Sequence, residues 1–317
     1  GEAGPPDAEA VALAGAAWLR GDLSPEVAME VGRDLAVAAN DRQVPHVQIS
    51  VDGVFAIVAG AAGDTTGARA FADRARYYAD PDFAKIPVAG LISKDYARSR
   101  LSLIDMSKAA DTDLPGEPAA LNRRETTYLC TADANGMMVS LIQSNYTGFG
   151  SGYCIPALGF GIQDRGNLFD LKPGQPNSYA PGKRPFHTII PAFMTKDGEP
   201  VMAFGLMGGD MQPQGHAQIV VNLVDFGMNL QDAGDAIRFH HTGSSEPTGT
   251  AMTDGGVLHI EDGLPQSLLD ELKRRGHKMA SEAVGAYGGY QAIWRDMKSG
   301  VYSGATERRK DGCALGY

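Results

Sequence analysis

Three Asx-Gly dipeptides, Asp52-Gly53, Asn135-Gly136 and Asp197-Gly198, each stand between two runs rich in β-branched, aromatic and other apolar residues. Such dipeptides supply the positive φ angles of a two-residue hairpin turn. They therefore predict short strands within 46–58, strands from Thr126 to Ala132 and from Met137 to Ser144, and two more within 187–209. "QAIWRDMKSGVYSGA" (291–305) reads as a closing hairpin. Strands joined by tight turns must run antiparallel, since a parallel pair needs a long crossover. The fold class is α+β, with largely antiparallel sheets and helices packed outside.

Helices are marked by their ends. Ser24-Pro25 reads as an N-cap and first helical position, with Val27, Val31 and Leu35 on one face. A second helix lies within 63–81 and is ended by Pro81; a third, 93–106, is capped by Ser93. Residues 107–125, with Pro115, Gly116 and Pro118, read as an exposed connector. "HAQIVVNLVDFG" is a helix stopped near Gly227, and "LPQSLLDELKRRG" has Pro265 at its start and Gly276 at its end. His240-His241 is read as lying just after a helix end, in a structural role.

The charge balance of 28 basic against 38 acidic residues, net −10, argues against a general binder of nucleic-acid backbones. No run of 18 apolar residues is present, so no membrane span is expected. No signal peptide is visible, and cytoplasm, periplasm and secretion all stay open as compartments. Cys130, Cys154 and Cys313 are odd in number and lack metal-type spacing, which predicts at least one free thiol. The seven histidines form no zinc pattern, and neither a metal site nor a cofactor is expected.

Chemistry is concentrated around the second hairpin. "TTYLCTADANG" begins at Thr126, where a strand can hold a hydroxyl rigidly, although a threonine pair also simply suits a strand. It is followed by the glycine-rich "NYTGFGSG" (145–152), by "GKRPFHTIIP" (182–191), and by "MGGDMQPQGH" (207–216) between a strand and a helix. Paired glycines before a helix let backbone N–H groups approach a ligand, as an oxyanion hole requires. Taken alone the pair is a weak signal, and a plain turn accounts for it better.

In order and wording these segments, with the ending "GATERRKDGCALGY", resemble the small subunit of the γ-glutamyltransferase family. These are N-terminal nucleophile hydrolases made by self-cleavage, and the wording is similar to the bacterial cephalosporin acylase-like branch. "RAFADRARYYADPDF" and "LISKDYARSRLSLID" resemble the end of the family's large subunit. The resemblance implies an αββα sandwich of two antiparallel sheets between helices. Residues 1–125 would form a shortened large-subunit segment and 126–317 the small-subunit catalytic segment of that one domain. Cleavage would fall between Glu125 and Thr126, with Thr126 the nucleophile and its freed α-amine the base. An α-amine titrates near ~8, so it is partly neutral at physiological pH. Gly208 and Gly209 match the oxyanion glycines, and Thr127 and Ser144 match hydroxyl positions near the nucleophile. The pair Thr65-Thr66 lacks such company and reads as a helix entry.

Departures from the family bear on substrate. His187 and Thr188 stand where classical members hold the substrate's α-carboxylate with two serines. Arg165 and Leu168 fall where others hold its α-amino group, and Tyr146 or Asn145 where others have an asparagine. Arg165 would repel an ammonium, although it also suits a structural ion pair. The implied activity is γ-glutamyl transfer or hydrolysis through an acyl-enzyme on Thr126, as on glutathione-type substrates. Its partners would be a small amide, a water or amine acceptor, and the cleaved N-terminal piece. One alternative is a cephalosporin or glutaryl acylase-like amidase. Another is a non-catalytic remnant that serves as a binding module.

Overall fold

The computed structural model describes residues 72–91, 93–96, 124–249, 252–282 and 284–316. The helix at Ser24-Pro25, the hairpin at Asp52-Gly53, Thr65-Thr66 and residues 97–123 lie outside the described residues. Helix α1 covers 72–77 and α2 covers Val88–Leu91. A further turn at 94–96 is capped as expected, Ser93 Oγ accepting the Tyr96 N–H at 3.2 Å.

Strands β1 (Arg124–Ala132) and β2 (Met138–Thr147) form the antiparallel hairpin. β1 begins two residues before Thr126, so the Glu125–Thr126 bond lies inside a continuous strand rather than ahead of it. The turn also differs from the expected two-residue form. Only Gly136 has positive φ (90°), and the Asp133 carboxylate accepts the N–H groups of Asn135 and Met137 at 2.9 and 3.0 Å. That side-chain bonding makes a longer turn of Asp133–Gly136 cheaper than the tight one. After short strands β3 (Cys154–Ile155) and β4 (Phe160–Gly161), β5 (Ala192–Lys196) and β6 (Glu199–Met207) join as expected. Asp197 and Gly198 have φ of 53° and 85°, the tight turn that the dipeptide predicts.

Helix α3 (Met211–Val224) starts five residues before His216, because the segment after Gly209 already winds into its first turn. α4 (Leu230–Asp235) is capped by Asn229, and β7 (Phe239–Thr242) follows. His240 and His241 therefore lie within a strand, not at a helix end. β8 (Val257–Ile260) pairs with β7 antiparallel and with β9 (Met279–Ala280) parallel, around helix α5 (Gln266–Arg274). β10 (Gly289–Arg295) and β11 (Tyr302–Thr306) form the closing hairpin.

The central sheet has the order β11-β10-β6-β5, antiparallel throughout. Alternation along β6 assigns its faces. Leu206 and Phe204 meet α3: a Cβ on Gly215 would lie 2.6 Å from the Leu206 side chain, and the Phe204 and His216 rings are 5.4 Å apart. Gly205 faces the β1–β2 hairpin, where a Cβ would lie 2.3 Å from the Tyr128 ring. Only glycine admits that approach. Helices, sheet and hairpin thus form three successive layers, with Met202, Phe204, Leu206, Met211, Ile219 and Tyr290 fully buried. All three cysteines are free thiols, and no helix among the described residues is long and apolar enough to cross a membrane.

Candidate functional site

The open end of the β1–β2 hairpin lies over the end of β6 that leads into Gly208. Two contacts establish this. The Tyr302 hydroxyl donates to the Asp133 carbonyl at 3.0 Å, which places the hairpin turn at the Arg295–Tyr302 end of the sheet. β6 is antiparallel to β10, so Met207 lies opposite Gly289 at the other end. Thr126 and Ser144, at the hairpin mouth, share that end.

There the Thr126 hydroxyl donates to Ser144 Oγ at 3.1 Å, and Ser144 Oγ also accepts the Tyr146 N–H at 2.9 Å. The pairing register shifts between Glu125 and Thr126: Glu125 faces Tyr146, whereas Thr126 faces Ser144. Asn145 is the extra residue of a bulge, and Tyr146 takes φ of 78°. A non-glycine residue there costs on the order of 1–3 kcal/mol and persists only where its surroundings hold it. Asp164 provides such a hold, accepting the Thr147 N–H at 3.1 Å and also its hydroxyl. Thr127, one residue on, is exposed on the outer face and points away from Thr126 and Ser144, as strand alternation dictates.

Arg165 is buried beside this mouth. Its Nη1 donates to the Ser144 carbonyl at 3.0 Å and its Nε to Thr188 Oγ1 at 2.8 Å. The guanidinium sits 5.5 Å from the centre of the Tyr146 ring, within cation–π range. Tyr146, Leu168 and Phe186 pack together as a buried cluster. Leu168 is thus a core residue, and the Tyr146 ring is committed to packing under Arg165. Gln212, in the first turn of α3, joins Thr188 to the glycine loop. Its Nε2 donates to the Thr188 carbonyl at 3.2 Å and its Oε1 accepts the Ile190 N–H at 3.0 Å. Gly208 and Gly209 have φ of 139° and 64°, their carbonyls accept the N–H groups of Met211 and Gln212, and neither glycine N–H has an acceptor among the described residues.

His187 is exposed at the rim of a cavity of about 460 Å³, lined also by Arg74, Tyr78, Ile86, Tyr96 and Phe186. Partial burial and the nearby Arg165 charge lower its pKa and favour the neutral ring. The structure therefore brings Thr126, Ser144, Arg165 and Thr188 into one hydrogen-bonded chain that Gln212 continues to the glycine loop. It leaves Thr127 outside. Asp164 and Gln212 were not singled out from sequence. Gln212 lies within "MGGDMQPQGH", but its role needs the fold to bring residues 188–190 beside it. No group of three or more metal-ligating side chains occurs among the described residues.

The architecture matches that of the cephalosporin acylase from Bacillus halodurans, with a TM-score of 0.68 and 38% identity over 84% of this chain and 50% of that one. The fold is thus of the N-terminal nucleophile hydrolase class. Residues 66–317 match the family described as Gamma-glutamyltranspeptidase, and the chain belongs to that family. The Acylase ACY 1 proenzyme of Pseudomonas sp. (strain SE83) is 38% identical over 245 residues, covering 77% of this chain and 41% of that protein. The Glutathione hydrolase proenzyme of Escherichia coli (strain K12) is 31% identical over 260 residues, covering 78% and 43%. The chain spans less than half the length of these two relatives.

Proposed function

We propose that the chain is an N-terminal threonine amidohydrolase or acyltransferase that frees its own nucleophile at Glu125–Thr126. Residues 1–125 and 126–317 would remain together as one αββα domain. The observation that carries this reading is the Thr126–Ser144 hydroxyl contact of 3.1 Å at the register shift between Glu125 and Thr126.

Thr126 Oγ attacks the Glu125 carbonyl carbon, the C–N bond breaks, and the chain is held by an ester with the α-amine free. Water then hydrolyses the ester, leaving a carboxylate on Glu125 and the hydroxyl on Thr126. Before scission the α-nitrogen is an amide and cannot serve as a base, so processing precedes turnover. In turnover the α-amine takes the Thr126 proton, Oγ attacks the substrate amide, and the leaving amine departs with a proton. Water or an amine then resolves the acyl-enzyme. The N–H groups of Gly208 and Gly209 would stabilise the oxyanion in both steps.

For the acyl group we favour one without an ammonium, such as a glutaryl-type carboxylate. Buried Arg165, with neutral His187 and Thr188 beside it, opposes an ammonium and suits an anion. γ-Glutamyl donors form the second reading, supported by the match to the family described as Gamma-glutamyltranspeptidase and by the glutathione hydrolase among the relatives.

Intact-mass measurement of fresh protein tests the scheme. Two pieces divided at Glu125–Thr126, absent in Thr126→Ala, are expected. A single uncut chain that still turns over amides would sink the nucleophile assignment. An uncut, inactive chain would favour a non-catalytic binding module.

A further inference from the structure

Glycines cannot be gripped by side chains, so the loop of Gly208 and Gly209 must be placed through its neighbours. On one side β6 ends at Met207; on the other Asp210 is the side chain that precedes α3. Asp210 meets a residue from the far side of the proposed scission. Arg74, on α1, directs Nη1 at Asp210 Oδ1 (3.4 Å) and donates from Nη2 to the Ser245 carbonyl (3.3 Å), with the Glu246 carboxylate 3.9 Å away. Its guanidinium lies 6.0 Å from the Phe186 ring, and its side chain is only 14% exposed. The same segment is docked a second time, by Asp80 against the Arg184 guanidinium (2.6 Å) and backbone N–H (2.9 Å). A guanidinium offers several fixed donors, so it can bridge Asp210 and the 245–246 segment at once.

We propose that Arg74 is a positioning residue for the oxyanion loop, supplied by the N-terminal piece and required after that piece has been cut from the nucleophile. This rests on the oxyanion role assigned to Gly208 and Gly209 above. Arg74 touches no reacting atom; it sets Asp210, and Asp210 sets the direction of the two glycine N–H groups. The N-terminal piece is thereby a working part of the site and not merely a removed cover. A loop misplaced by about 1 Å can cost roughly 10²-fold in turnover.

The test measures kcat and KM for glutaryl and γ-glutamyl anilides on Arg74→Met, Arg74→Lys and Asp210→Asn, each checked for scission by intact mass. Self-cleaved Arg74→Met is expected to lose about 10- to 100-fold in kcat with KM within about twofold. Arg74→Lys should recover part of that loss, and Asp210→Asn should add nothing to Arg74→Met, because both act on one contact. Asp80→Asn, which weakens the other docking pair, should leave kcat unchanged while the two pieces stay together on native mass measurement. Wild-type kcat in cut Arg74→Met would overturn the proposal. So would an uncut Arg74→Met chain, because Arg74 would then act before Thr126 is freed. If Arg74→Met does not fold, Asp210→Asn with wild-type kcat overturns it instead. Gly209→Pro separates the two ideas. If that variant folds and turns over normally, the oxyanion assignment itself falls. If it is inactive while Arg74→Met is not, only the role of Arg74 falls.

Discussion

His216 links the pH stability of the fold to the strand that ends at the glycine loop. It is buried on α3, and its Nε2 accepts the Leu206 N–H at 2.8 Å, two residues before Gly208. Accepting that bond requires a lone pair, so the ring must be neutral with its proton on Nδ1. Burial moves its pKa from 6.5 to about 4. The folded value is depressed, so the stability that neutral His216 contributes is complete above pH 6.5 and is lost as pH falls toward 4. Linkage gives a loss of about 2 kcal/mol by pH 5 and about 3 kcal/mol by pH 4. His216→Phe keeps a ring against Phe204 but leaves the Leu206 N–H without its acceptor, which costs about 1–3 kcal/mol at pH 7. Urea denaturation of both proteins between pH 7.5 and 4 is the assay. The wild-type advantage should shrink by about 3 kcal/mol across this range and invert if it starts below that. Other carboxylates and histidines titrate in both proteins and cancel in the difference. A gap that stays constant to within about 0.5 kcal/mol would refute the neutral, hydrogen-bonded assignment.

Other consequences follow from the same contacts. Arg165→Gln should raise kcat/KM for γ-glutamyl relative to glutaryl anilides; an unchanged ratio would place Arg165 outside the acyl pocket. Gly209→Pro removes one N–H and should cut kcat by roughly 10²–10³-fold in protein that still folds, with circular dichroism to verify folding. Gly205→Ala drives a Cβ into the Tyr128 ring, which a built Cβ approaches to 2.3 Å. It should destabilise by about 1–3 kcal/mol in urea. No change would mean the hairpin is not packed on that face.

What the sequence settled alone is what depends on neighbours along the chain. Asp197-Gly198 dictates its turn because only a few residue types accept two positive φ angles. Ser93 caps its turn because the hydroxyl reaches an N–H three residues on. Even locally, competing side-chain bonds decide outcomes: the Asp133 carboxylate, not Asn135-Gly136 alone, shaped the β1–β2 turn. The order of the motifs also marked Thr126, Ser144, Arg165 and Thr188 as candidates, but not how they meet. Their chain of contacts spans 18 to 23 residues in sequence, and the Arg74–Asp210 contact spans 136. Distances of that kind follow from which sheet face the hairpin covers, and that choice rests on Gly205 giving way to Tyr128 across the layer. Thr127 shows the other limit. The resemblance matched it to a hydroxyl position near the nucleophile; the two-residue period of a strand turns its side chain to the face opposite Thr126, where it is exposed. The half-turn between adjacent strand residues and the long-range packing of layers, not proximity in the chain, decided which hydroxyls meet at the hairpin mouth.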